Sequence, residues 1–193
     1  ADIWLFLRHS ADAWFKSRRD AGDSTAEINA YLSQFDIWDR YDYDGDGNFD
    51  EPDGYIDHFQ AVHAGLGEDA GGGAQGGDAI WSHHGYPYVN NIGSDGPEYN
   101  PAGGTRIGNS NYWIGDYSIE GENGGVGVFA HEFAHDLDLP DLYDYGPGDN
   151  SVGFWSLMAF GSWLDDGQET IGNKPGHMGN WEKFQLGWLD YDV

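Results

Sequence analysis

The sequence predicts an α+β fold. Three observations carry that expectation: helical periodicity near the N-terminus, short strand-like runs through the middle, and two further helical patterns after residue 124. A length of 193 residues suits one domain able to bury a real core without staples. The expected organisation is a single domain over residues 1–193, with a helical segment at 1–35, an acidic loop at 42–53 and a C-terminal part from 124 onward.

Residues 1–35 read as helical because Ile3, Leu7, Ala11 and Trp14 recur near helical spacing, although the first seven residues fit a strand equally well. Ser24 and Glu27 form an S-x-x-E capping box ahead of Ile28, Tyr31 and Leu32. Residues 36–57 hold nine acids and one Arg. Strands are expected at 55–64, 79–84 and 112–119, with the Gly-rich stretch 65–77 as a flexible loop between the first two. A helix is expected at 124–139, stopped by Pro140, followed by a turn at 146–149. The last helix is expected at 175–186, with Pro175 at its first position.

Composition narrows the function classes. There is no cysteine, hence no disulfide framework, thiolate nucleophile or Cys-based zinc site. Eight basic residues against 34 acidic ones give a formal charge of −26, which argues against nucleic acid and anionic membranes as partners. The longest apolar runs are far too short to span a bilayer. The chain does not open on Met, as expected of a processed product. Asp outnumbers Glu 25 to 9, an excess of short, turn-forming carboxylates that hints at bound cations rather than a generic soluble surface.

The strongest chemical signal is V-F-A-H-E-F-A-H-D-L at 128–137, which contains His131-Glu132-x-x-His135. Positions i and i+4 project from one helix face, so both imidazoles can reach one ion, with Glu132 beside them as a base for water. Val128, Phe129, Phe133 and Leu137 suggest a mostly buried helix whose histidine pair needs a partner. Zinc wants a third protein ligand and an open position. Asp141, six residues after His135 and just past Pro140, fits the H-E-x-x-H-x-x-x-x-x-D spacing. Asp138 and Asp144 compete for that place; Glu169 and Glu182 are weaker candidates on later segments.

A second signal lies in the acidic stretch. Asp42, Asp44 and Asp46 fall at positions 1, 3 and 5 of a calcium loop, with Gly47 at 6, Asn48 at 7, Asp50 at 9 and Asp53 at 12. Pro52 and the strand-like pattern after it exclude an ordinary helix–loop–helix arrangement. Five carboxylates this close repel one another without a cation.

The chain resembles the immune inhibitor A family of secreted bacterial metallopeptidases, which are metzincin-like zincins. The matching stretches are the acidic run at 39–57, H-A-G-L-G-E at 63–68, I-W-S-H-H at 80–84 and W-I-G-D-Y-S-I-E at 113–120. They continue through 122–144, F-W-S-L-M-A-F-G-S-W at 154–163 and W-E-K-F-Q-L-G-W-L at 181–189. The resemblance implies a twisted mixed sheet, an active-site helix, a Met-turn and a C-terminal helix. It implies zinc held by His131, His135 and Asp141, Glu132 as general base and acid, and Met158 as the Met-turn methionine. It also implies structural calcium, secretion to the extracellular space and endopeptidase action on proteins or peptides. A monomer is expected. Where the family has glycines, this chain has Ala134 and Asp138. Ala134 is benign in a helix, whereas Asp138 adds a carboxylate near the metal at a place that calls for positive φ. That departure, together with many potentially exposed Trp and Tyr, motivates an alternative, a calcium-stabilised and catalytically impaired binding module. His83 and His84, at the end of a strand, are either substrate contacts or ordinary strand-end histidines; His58, His63 and His177 read as structural, and Asp144 and Asn150 as cap or calcium residues.

Overall fold

The two N-terminal helices form where the capping chemistry puts them. In this computed structural model, which describes residues 3–87, 96–100, 103–146, 148, 152–167 and 170–189, α1 spans Ile3–Asp20 and α2 spans Thr25–Leu32. Helix α1 therefore takes in most of the first seven residues, and it buries Leu7, Ala11 and Phe15 at i, i+4, i+8. The Glu27 N–H donates to Ser24 Oγ at 3.2 Å and the Ser24 N–H to Glu27 Oε2 at 2.8 Å, completing the capping box.

The chain divides into two compact units, one from Gln60–His84 and Ser118–Val193, the other from Asp2–Phe59 and Gly85–Tyr117. The second unit contains α1, α2 and a small antiparallel pair, β3 (Thr105–Arg106) with β4 (Trp113–Ile114). The first is built on β1 (Gln60–His63), β2 (His83–Gly85) and β5 (Tyr117–Gly121), in the order β1-β5-β2. Strands β1 and β5 run parallel with Val62 opposite Glu120. Helix α3 (Val126–Asp136) and the short α4 (Asn180–Gln185) complete it.

The arrangement is mixed helix and sheet, as expected, but the strands are shorter than predicted. The run at 55–64 pairs as a strand only from Gln60, because Tyr55 bridges Trp113 and the Asp57 carboxylate accepts the N–H groups of Ile37 and Trp38. The run at 112–119 splits because Ile114 pairs with Thr105 while Ser118 pairs with Gln60, in different sheets. The last helix starts at Asn180, not at Pro175. Residues ahead of it are taken by loop hydrogen bonds, Lys174 N–H to Leu164 O at 3.1 Å and Gly176 N–H to Gly161 O at 2.8 Å.

Helix α3 buries a different face from the one its apolar residues suggest. Phe133 is 40% exposed, whereas His131 and Glu132 are buried at 7% and 6%. Gly127 explains the close packing on that side: an added Cβ would overlap Ser162 O, so only glycine lets the 3-10 segment Phe160–Trp163 lie against the first turn. A small core of Ala134, Leu139 and Met158, with Leu142, Met178 and Leu186 packed on it, supports the helix.

Candidate metal centre

The way α3 ends sets the path of the chain beyond it. The Asp138 N–H donates to His135 O at 2.9 Å and the Leu139 N–H to Ala134 O at 3.0 Å, with Asp138 at φ 65°. This is the Schellman pattern, complete with its apolar contact between Leu139 and Ala134. Asp138 thus occupies the left-handed position that usually calls for glycine. The turn sends the chain back along the helix. Leu139 O then accepts from His135 Nδ1 at 2.7 Å, and Asp141 arrives at the two imidazoles.

His131 Nδ1 donates to Leu157 O at 2.8 Å. Both rings therefore carry their proton on Nδ1 when neutral, and both Nε2 atoms present lone pairs. Those atoms lie 3.2 Å apart, and each is 3.1 Å from Asp141 Oδ1. Asp141 Oδ1 is buried with no hydrogen-bond donor. Three lone pairs aimed at one point repel one another unless positive charge sits among them. Tetrahedral zinc, with ligands at about 2.0–2.1 Å, spaces them by roughly 3.3 Å. The donor set and its edges fit such an ion.

Electrostatics agree with cation binding. Burial pushes the Asp141 carboxyl up, but its contacts with His131, His135 and Tyr145 override that and hold it well below the usual carboxylate range. Burial lowers His135, yet Asp141 outweighs it, so without an ion this imidazole holds a proton more tightly than usual. Glu132 is pushed up to about 6, chiefly by burial, with the two histidines pulling the other way. Its carboxylate lies within 4.8 Å of the ligand atoms of His131 and His135. These residues line a cleft of about 530 Å³ with Trp81, Tyr143, Phe160 and Trp163.

Residues 8–189 match the family described as Immune inhibitor A peptidase M6, catalytic domain. The chain is 42% identical over 173 residues to the pre-pro-metalloprotease PrtV of Vibrio cholerae serotype O1, covering 86% of this chain and 18% of that protein. It is 45% identical over 152 residues to immune inhibitor A of Bacillus thuringiensis subsp. alesti, covering 75% and 21%. The chain belongs to the immune inhibitor A peptidase M6 family. It spans about a fifth of the length of these relatives.

Within this M6 domain the remaining predicted residues divide clearly. Met158 is fully buried against Ala134 and Leu139. His83 and His84 both line the cleft; the His84 and His135 rings are 6.1 Å apart, and His83 Nδ1 donates to Trp81 O at 2.7 Å. Asp144 accepts the Gly146 N–H at 2.8 Å, which is turn chemistry. Asn150 and Glu169 lie outside the described residues. Tyr143 and Tyr145 are cleft residues that the sequence did not single out. The Tyr145 hydroxyl donates to Asp141 Oδ2, and the Tyr143 ring stacks on His131 with centroids 6.4 Å apart. The only hint in the sequence is that both closely succeed Asp141.

The acidic loop has the expected turns. The Gly47 N–H donates to Asp42 Oδ1 at 3.0 Å, Asp46 N–H to Asp44 Oδ1 at 3.1 Å and Asn48 N–H to Asp46 Oδ1 at 2.7 Å, with Gly47 at φ 84°. The Asp50 N–H donates to Asn48 Oδ1 at 3.2 Å. Among the described residues, the mutually close carboxylates are Asp39, Asp42 and Asp44, and then Asp44, Asp46 and Glu51. Asp39 and Glu51 were not singled out by the register, and Asp39 Oδ1 is buried without a hydrogen-bond partner. Asp50 and Asp53 join neither group; Asp53 Oδ1 accepts the Tyr55 N–H at 2.8 Å.

Proposed function

We propose that this chain is the catalytic domain of a secreted zinc-dependent endopeptidase that hydrolyses peptide bonds of proteins, stabilised by calcium at the acidic loop. The observation that carries the reading is the triangle of His131 Nε2, His135 Nε2 and Asp141 Oδ1, with Glu132 beside it. His131, His135 and Asp141 would hold the ion. When bound, zinc supplies Lewis acidity, polarising a peptide carbonyl and making water more acidic. Glu132 takes the proton of the attacking water and passes it to the amine nitrogen as the C–N bond breaks. Burial raises its carboxyl above that of an ordinary Glu, against the pull of the two histidines. Strand β2 ends the three-stranded order and carries His83 and His84 along the cleft, so an extended peptide aligned with it meets both side chains. Met158 acts by packing, as a Met-turn residue. Protein or peptide substrates are the partners; nucleic acid and membrane are not.

The alternative, a calcium-stabilised and catalytically impaired binding module, draws on Asp138 and on exposed aromatic residues such as Trp155 and Trp188. The Schellman turn that Asp138 forms weighs against it, because the third-ligand residue still reaches the two imidazoles.

The decisive experiment measures metal content by mass spectrometry on protein purified without chelator, together with casein cleavage. One zinc and at least one calcium per chain are expected. Glu132→Gln should keep the zinc and abolish chelator-sensitive cleavage. Retained cleavage by that variant overturns the assignment.

A further inference from the structure

Helix α4 carries a buried acid that the mechanism does not use. Glu182 is 2% exposed and accepts the hydroxyl proton of Ser156, itself 3% exposed. A hydroxyl has one proton and two lone pairs. Once its proton is given to Glu182, the Ser156 oxygen is left as an acceptor, and it takes the Met158 N–H at 2.9 Å. The next two carbonyls of this segment then face the metal centre from two sides. Leu157 O accepts from His131 Nδ1 at 2.8 Å, and Met158 O accepts the N–H of Leu142, the residue after Asp141, at 2.7 Å. Leu186, at the end of α4, packs on the same cluster as Met158.

We propose that Glu182 is a positioning residue for the metal centre, setting the 156–158 segment that fixes the tautomer of His131 and the placement of Asp141. The inference rests on the reading of His131, His135 and Asp141 as metal ligands, but its hydrogen-bond chain exists without the ion. Without an acceptor at 182, the Ser156 hydroxyl is free to rotate and the Met158 N–H loses a fixed partner. The Leu157 carbonyl then loses one of the bonds that orient it, while the Leu157 N–H still donates to His177 O at 3.2 Å. Outer partners of this kind typically change metal affinity by about 10–100-fold.

The test uses Glu182→Gln, Glu182→Ala and Ser156→Ala in the full chain. Gln keeps an acceptor oxygen for Ser156; Ala removes it. The first readout is the side-chain nitrogen NMR of His131 in metal-free protein. Wild type and Glu182→Gln should hold the proton on Nδ1, and Glu182→Ala should give a mixture of tautomers. The second is cobalt(II) titration: about a tenfold loss of affinity and an altered visible spectrum for Glu182→Ala, with Glu182→Gln near wild type. Ser156→Ala should match Glu182→Ala, and the double variant should lose no more than either. If Glu182→Ala does not fold, Ser156→Ala against Glu182→Gln makes the same comparison. A wild type that binds no cobalt or zinc sinks the metal reading and leaves the tautomer readout to judge this proposal. An unchanged His131 tautomer in both Glu182→Ala and Ser156→Ala overturns it, as does a Glu182→Gln variant as impaired as the alanine.

Discussion

Asp138 sits at φ 65°, where a side chain collides with its own backbone and most residues pay about 1–2 kcal/mol. Aspartate tolerates that region better than most, and glycine would relieve the strain while adding freedom to the unfolded chain. Asp138→Gly should therefore gain less than about 1 kcal/mol, a rise in melting temperature of roughly 2–4 °C at most. Asp138→Val should lose about 1–2 kcal/mol. Calorimetry of the metal-free protein reads both. Nearby, the Tyr145 hydroxyl donates to Asp141. Tyr145→Phe should keep the fold and weaken zinc binding by about tenfold, measured by competition with a chromogenic chelator. The histidine pair was legible in the sequence because i, i+4 spacing fixes a shared face. Tyr145 and the Leu157 carbonyl were not, because their contacts depend on how the chain returns after the helix. Asp141 lies between these cases: its spacing was readable, and the turn that delivers it became visible only through the Asp138 and Leu139 hydrogen bonds.

The helix with a capping box formed at its expected place, whereas the helix expected from Pro175 and the strands defined by distant partners did not. The Ser24–Glu27 box located α2, whereas α3 runs only Val126–Asp136 within the expected 124–139, because the Schellman turn at Asp138, not Pro140, ends it. The boundaries of β4 and β5 depend on two separate sheets, which no local pattern within 112–119 encodes. Strand β5 also carries a buried acid. Glu120 is fully buried; Gln60 Nε2 donates to its Oε1 at 3.1 Å, and Oε2 has no partner. Burial is the main reason that its carboxyl is pushed up to about 8. A carboxyl raised in the folded state contributes stability below its unfolded value, near 4.5, and that contribution is lost as pH rises through 8. Glu120→Gln stays neutral throughout. The variant should melt higher than wild type at pH 8–9, and the gap should close toward pH 4. A constant gap across thermal scans over that range would contradict a buried, proton-holding Glu120.

At the scale of the molecule, a charge of −26 opposes the compact state through self-repulsion, which the proposed calcium would relieve. The acidic run concentrates that charge where turns bring carboxylates together, with Asp39 Oδ1 buried and unpartnered at its inner side. Asp36 and Asp53, which face the same repulsion, are raised to about 6 and about 7, mainly by burial. In the absence of a cation, protons do part of the neutralising. Asp36 and Asp53 both lie outside the two groups of mutually close carboxylates, so they act on the proposed calcium through charge alone, and calcium affinity should rise between pH 5.5 and pH 8 as those carboxyls give up their protons. Calcium at a hundredfold excess over its dissociation constant adds about 2.7 kcal/mol. At roughly 2–4 °C per kcal/mol for a domain of this size, a calcium-selective chelator should lower the melting temperature by about 5–10 °C. Added monovalent salt screens repulsion among the freed carboxylates, so it should recover part of that loss in the calcium-free protein and do little for the calcium-loaded one. Asp39→Asn separates the two contributions. It leaves a neutral side chain at the buried position, so it should lessen the calcium dependence of melting while raising the calcium-free melting temperature at pH 8. An Asp39→Asn protein with wild-type calcium dependence would mean that the ion is held by the exposed carboxylates alone.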